Sequence, residues 1–167
     1  GKAGMVYALE PNPLSFRSLK RTVALNELSN VVCINAAVGA NNGTLIIEDK
    51  EADCVSLDSI WSDKISPRPV SFIKIDTDGH EMQVLSGAEN LLAANPDCTI
   101  IAEYLPRINY DGSSGVETLK RYRDQGFIVH KIQVSSVPLG DDDLIYLAEN
   151  MADPNHMLAH DVVLTRR

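Results

Sequence analysis

One segment constrains this chain more than any other: Phe72-Ile73-Lys74-Ile75 runs straight into Asp76-Thr77-Asp78-Gly79-His80-Glu81. An apolar strand ends on a carboxylate and turns at once into an acidic helix start. A second acid-tipped strand, Met5-Val6-Tyr7-Ala8-Leu9-Glu10, lies upstream and is followed by Pro11-Asn12-Pro13 and a helical pattern. Two strand-to-helix turns that carry acids point to an open α/β sheet. Ligands of such sheets bind outside the carboxyl ends of the strands, near the point where strand order reverses.

The remaining pattern agrees with that class. Apolar runs of strand length alternate with segments of helical period, as in α/β folds with a mainly parallel sheet. Asn12 reads as an N-cap with Pro13 at the first helical position. Phe16, Leu19 and Val23 share one face of a helix expected to reach about Leu28. Val31-Val32-Cys33-Ile34 is the next strand, and Asn41-Asn42-Gly43 reads as a tight turn joining it to Thr44-Leu45-Ile46-Ile47 as a hairpin. Ser56 to Trp61 is a short helix or turn, and Pro67 and Pro69 mark a loop before a strand from Val70 to Ile75. Met82, Leu85, Ala88 and Leu92 form one helical stripe that Asn95-Pro96 ends. A strand from Cys98 to Ala102 ends in Glu103. Ser114 and Glu117 have capping-box spacing for a helix stopped by Gly126, Phe127 to Ile132 is a strand, and Asp161 to Thr165 closes the chain.

Composition narrows the function. A chain of 167 residues with 44% apolar content can bury one core, which argues for a single domain. A net charge of -8 without a basic run lacks the footprint of a nucleic-acid or anionic-membrane binder. No stretch reaches the roughly 20 apolar residues of a membrane span. Cys33, Cys54 and Cys98 are odd in number and scattered, which reads as reduced thiols in a cytoplasmic protein.

Four blocks in one order carry a family resemblance: Val6-Tyr7-Ala8-Leu9-Glu10-Pro11-Asn12-Pro13, Asn35-Ala36-Ala37-Val38-Gly39, Ser56-Leu57-Asp58-Ser59-Ile60, and Phe72 to Glu81. Together they resemble the FkbM family of S-adenosylmethionine-dependent methyltransferases, and the likeness extends through Val84-Leu85-Ser86-Gly87-Ala88 and the strand ending at Glu103. Past about Pro106 it thins to a general pattern. The resemblance implies a Rossmann-like class I methyltransferase fold, mainly parallel with helices on both faces. It also implies S-adenosyl-L-methionine as cofactor and a small molecule or glycan as substrate, methylated on a hydroxyl of a sugar, glycan or natural product. The family opens with a strand and a glycine-rich turn that wraps the methionine end of the cofactor. Here Gly1-Lys2-Ala3-Gly4 reads only as the loop entering the strand at Met5. Residues 1–167 are therefore expected to form one N-terminally incomplete domain, its first strand and helix missing from between the strands of Glu10 and Asp76.

Cofactor contact is implied at Glu10, Pro11, Asn12, Ala36, Ala37 and Asp76. Glu10 suits a ribose, because a carboxylate there accepts hydrogen bonds from both hydroxyls; the competing reading is an exposed strand-end acid. Asn12 also reads as a helix cap alone, and the two alanines as either an adenine wall or a tight strand exit. Asp76 is the candidate general base for a substrate hydroxyl. Asp78 and Glu81 are equally candidates for catalysis and for a capping box. Lys74, expected on a buried strand, needs a carboxylate such as Glu103. No metal site is expected. Asp76-x-Asp78-Gly79 fails calcium-loop spacing, Asp141-Asp142-Asp143 reads as a solvated loop, and His156 and His160 lack a ligand frame. Two other readings compete: a nicotinamide-dependent oxidoreductase, whose ribose Glu10 would also suit, and a truncated domain that only binds a partner.

Overall fold

The computed structural model of the chain describes residues 4–47, 49–104, 115–131 and 160–166. Strand β1 (Val6–Leu9) leads into helix α1 (Pro13–Leu25), and β2 (Val31–Ile34) returns beside β1 in parallel, Val6 opposite Val31 and Leu9 opposite Ile34. As expected, the Asn12 side chain caps α1, accepting from the amides of Leu14 and Ser15 at 2.9 and 3.3 Å. Phe16, Leu19 and Val23 are its half-buried face. The helix stops at Leu25, three residues short of the expected end, because Asn26 folds back on Thr22 O and Glu27 enters the left-handed region at φ 52.

The hairpin forms, but between other strands. The short β3 (Ala37–Val38) lies parallel to β5 (Lys50–Val55), and β4 (Gly43–Ile47) pairs antiparallel with β5, Ile47 opposite Lys50. The chain therefore reverses between Ile47 and Lys50, where Asp49 takes φ 60, and Asn41-Asn42 only leads into β4 at Gly43. Strand β5 escaped recognition because its first four residues, Lys50, Glu51, Ala52 and Asp53, are all types depleted in β structure. Only its period-2 burial, with Cys54 inside and Asp53 outside, betrays it.

The main core sits on a third set of strands. After helix α2 (Leu57–Ile60) and one π-helical turn at Trp61–Ile65, β6 (Phe72–Ile75) begins a four-stranded sheet. It pairs in parallel with β7 (Thr99–Tyr104); β9 (His160–Thr165) lies antiparallel between β7 and β8 (Ile128–Lys131). Ile75, Ile100, Ala102, Val129, Val162 and Leu164 are fully buried and, by the registers, share one face of this sheet. Against them pack Val84 and Leu85 of α3 (Glu81–Ser86), Leu91 and Leu92 of α4 (Glu89–Ala94), and Leu119 and Tyr122 of α5 (Gly115–Asp124).

The expectation of a mainly parallel sheet needs correction. Among the described residues three pairings are parallel and three antiparallel, distributed over three sheets. A two-residue turn can join only antiparallel strands, which fixes β4 and β5, and β9 enters the main sheet reversed. Among the described residues β1 pairs only with β2, and β6 only with β7; Val6 and Phe72 are accordingly about half exposed, at 50% and 54%. Lys74 is likewise exposed, not buried as expected.

The single helix expected over Met82 to Leu92 is two helices broken at Gly87-Ala88. A Cβ on Gly87 would lie 2.2 Å from Gly39 O and 3.1 Å from both Ala40 O and Ser56 Cβ, so only glycine permits this approach. Asp58 fixes the restart of the helix: its Oδ1 accepts from the Leu91 amide at 2.8 Å, and its Oδ2 from the Asn90 amide and side chain at 3.1 and 2.9 Å. The preceding residue, Ala88, has no side-chain acceptor, so α4 is capped from a distant element.

Candidate active site

The turn after β1 is rigidly built. Glu10 continues the ladder through its amide to Ile34 O, and its Oε1 accepts from the Asn12 amide at 2.7 Å. Asn35, just past β2, donates its side-chain amide to Glu10 O and Pro11 O at 2.7 and 3.1 Å. Glu10, Pro11 and Asn12 are thus held together and half-buried at the carboxyl end of β1. Asn35 was not foreseen in this role; an amide at the end of a neighbouring parallel strand is the signal that points to it. Ala36 and Ala37 are buried at 3% and 5%, Ala37 opening β3 opposite Cys54. Tyr7 on β1 donates to Lys64 O at 3.0 Å, reaching the segment that precedes β6.

The turn after β6 has different chemistry. Asp78 and Gly79 both have positive φ, 50 and 96, and the His80 amide closes the turn on Thr77 O at 3.3 Å. Asp-Gly is the sequence that tolerates two such residues. Glu81 is buried at 5%, and its Oε1 accepts from the Thr77 amide, the Thr77 hydroxyl and the Gly79 amide at 3.0, 2.9 and 3.3 Å. It locks the turn from inside. Of the two equally open readings of Asp78 and Glu81, the capping box does not form: the N-cap is His80, without a side-chain cap, and exposed Asp78 lies in the turn itself. His80 Nδ1 lies 3.1 Å from Thr77 O.

Asp76 is exposed and forms an ion pair with Lys74 at 3.3 Å. An open pair of this kind adds little stability, so its position matters more than its strength. The register that sets Ile75 beside Ala102 brings Asp76 alongside Glu103, on the same face as Lys74. Glu103 as a residue is half-buried, but its Oε2 is out of contact with solvent and has no hydrogen-bond partner. Its carboxyl is pushed up to about 7, first by burial and then by the charges of Asp76, Asp78 and Glu81, against which Lys74 acts in the opposite sense. Four acids therefore meet at the carboxyl ends of β6 and β7. Sequence reasoning cast Glu103 only as a partner for Lys74, whereas the ion pair found goes to Asp76.

Among the described residues, no group of three or more His, Cys, Asp or Glu side chains is placed to hold a metal ion. Asp141-Asp142-Asp143, His156, Ser114 and the chain from Leu105 to that serine lie outside the described residues; His160 is described only as the backbone position of β9 opposite Tyr104. No described helix is long and apolar enough to cross a membrane. Cys54 and Cys98 are buried, Cys33 is half-buried, and all three are free thiols; burial pushes Cys98 up to about 11.

Acid-tipped parallel strands beside a mixed sheet, with helices packed on them, make an α/β fold. The Methyltransferase FkbM domain model matches residues 1–129, and the chain belongs to that family. A crystal structure of Methyltransferase FkbM from Methylobacillus flagellatus KT is similar at a TM-score of 0.63 and 11% identity, covering 96% of this chain and 36% of that one. Precorrin-6y C5,15-methyltransferase from Geobacter metallireducens GS-15 is similar at a TM-score of 0.53 and 12% identity, over 98% of this chain and 68% of that one. The chain thus spans about a third of the length of the Methylobacillus structure. No curated protein sequence matches it significantly.

Proposed function

We propose that the protein transfers a methyl group from S-adenosylmethionine to a hydroxyl of a sugar, glycan or small natural product. The observation that carries this reading is the pair of acidic turns at the carboxyl ends of parallel strands, Glu10 after β1 and Asp76 after β6, in a member of a methyltransferase family. The residues fit the cofactor by their chemistry. A carboxylate whose Oε1 is already anchored on a backbone amide, as in Glu10, is preorganised to accept from ribose hydroxyls, and the acids around β6 and β7 suit a cation. When bound, the cofactor supplies an electrophilic methyl on a sulfonium.

The chain's own part is alignment and proton removal. Asn35 and Asn12 hold the Glu10 turn in place, and Glu81 holds the Asp76 turn, so that acceptor and methyl can meet in line. Asp76, exposed at the strand end, is the group assigned to take the acceptor proton. Asp78 stands beside it in a turn with positive φ, and Glu81 acts by positioning. Calorimetry with S-adenosylhomocysteine and with NAD tests the reading. Binding of the first and not the second is expected; the reverse would make the protein an oxidoreductase, and binding of neither would remove the cofactor site.

A further inference from the structure

This inference rests on the methyl-transfer reading and concerns an acid there that has one carboxylate oxygen buried without a hydrogen-bond donor. Glu103 Oε2 is shut off from water and unpartnered. The charged groups acting on it are Asp76 and Asp78 from the turn after β6, Glu81 from α3, and Lys74 from β6; on β9 the position opposite is Asp161. An ionised carboxylate so placed has one oxygen without hydration or donors, and its acidic neighbours repel it. Asp76 differs, being exposed and paired with Lys74. What would settle Glu103 as an anion is a further positive charge, even one with no hydrogen to donate. A sulfonium is such a charge.

We propose that the Glu103 carboxyl recognises the positive charge of the sulfonium methyl donor and distinguishes it from the neutral thioether left after transfer. In the transfer, a lone pair of the acceptor oxygen forms the new C–O bond. The C–S bond breaks with its electron pair staying on sulfur, and the acceptor proton passes to Asp76. The cation facing Glu103 is then gone, and Glu103 takes up a proton from solvent. Donor is held and product is released by the same carboxyl. The position of its titration near neutrality lets that exchange run at ordinary pH.

The test is calorimetry of the full protein at pH 7 in two buffers of different protonation heat, with S-adenosylmethionine and S-adenosylhomocysteine as probes. Binding of the donor should expel about half a proton, since a group titrating near 7 is half protonated beforehand, and the thioether should expel none. Glu103→Gln should abolish that difference and shrink the preference for donor over thioether roughly tenfold, the equivalent of one unit of displaced pKa. Because the ligands are unchanged, their own amines cancel in the comparison with the variant. Glu103→Asp, which restores a carboxyl, should recover proton release, showing that Glu103→Gln did not act through misfolding. Equal proton release for the two ligands, or a difference that survives in Glu103→Gln, overturns the inference while leaving the methyltransferase reading intact. If neither ligand binds, both fall together.

Discussion

Replacing Asp58 by alanine tests whether the block around Ser56–Ile60 caps helix α4 as the structure has it. Asp58 accepts three hydrogen bonds, from the Leu91 amide at 2.8 Å and from the Asn90 amide and side chain at 3.1 and 2.9 Å. The Asn90 side chain is exposed and regains water at little cost. The two backbone amides open helix α4, beside a Leu91 side chain that is 2% exposed, and the N-cap Ala88 cannot replace the lost acceptor. One charge-assisted bond to a partly buried donor contributes about 1.5–3 kcal/mol, and loss of a helix cap costs about 0.5–2 kcal/mol. These describe overlapping effects, so the expected loss is about 2–3 kcal/mol. Urea denaturation reads this as a midpoint lowered by roughly 1 M, given slopes of about 1–3 kcal/mol/M. Asp58→Asn keeps one acceptor oxygen and should recover about half the loss. A change below about 0.5 kcal/mol for Asp58→Ala, the range of ordinary surface substitutions, would refute the cap.

Gly87→Ala should destabilise by about 3 kcal/mol or more, since its Cβ would overlap Gly39 O, whereas Gly126→Ala, with open space around it but φ 85, should cost only about 1–2 kcal/mol; thermal unfolding ranks the two. Glu81→Ala should lose about 2 kcal/mol and disorder the Thr77–Gly79 turn, read as faster amide exchange at those two residues. Stability should fall as pH rises from about 4.5 towards 7, because the raised Glu103 carboxyl keeps its proton in the folded chain after the unfolded chain has lost it. That slope should flatten in Glu103→Gln, and an unchanged slope in urea titrations at stepped pH would show that Glu103 titrates normally. Glu10→Ala should weaken S-adenosylhomocysteine binding by about 1.5–3 kcal/mol in calorimetry, and full affinity would take Glu10 out of the site.

Local signals proved reliable wherever one short stretch decides the outcome. Asn12-Pro13 starts a helix because the cap and the fixed φ act within a few residues. Asn95-Pro96 stops one for the same reason, with Asn95 also accepting from the Val70 amide at 2.8 Å. Signals that depend on pairing were not legible. Nothing in Val31–Ile34 says that its partner is β1 and not β4, because two apolar strands fit either neighbour and only the alignment of hydrogen bonds chooses. The break at Gly87 was hidden because Leu85, Ala88 and Leu92 are all buried on both sides of it, as an unbroken helix would also place them. A glycine inside a helical stripe was the clue, and its cause lies in the distant loop at Gly39 and Ala40.

The candidate site shows the same division. That Glu10 and Asp76 stand at strand ends could be read directly, since an apolar run terminating in an acid marks its own carboxyl end. The division of labour among the acids could not be. Asp78 and Glu81 are three apart in a sequence that suits a capping box, yet two successive positive φ angles carry Asp78 into solvent and turn Glu81 inward onto the turn's own amides. Glu103 lies 27 residues from Asp76 in sequence and becomes its neighbour only through the β6–β7 register. That register gives the three carboxylates different duties: Glu81 is consumed by structure, Asp76 is offered to solvent beside Lys74, and Glu103 keeps a buried Oε2 without a donor. A single positive charge arriving at these strand ends would therefore change the balance for Glu103 most, because its buried Oε2 has no hydrogen-bond donor, whereas Asp76 has Lys74 and Glu81 has the amides of its own turn.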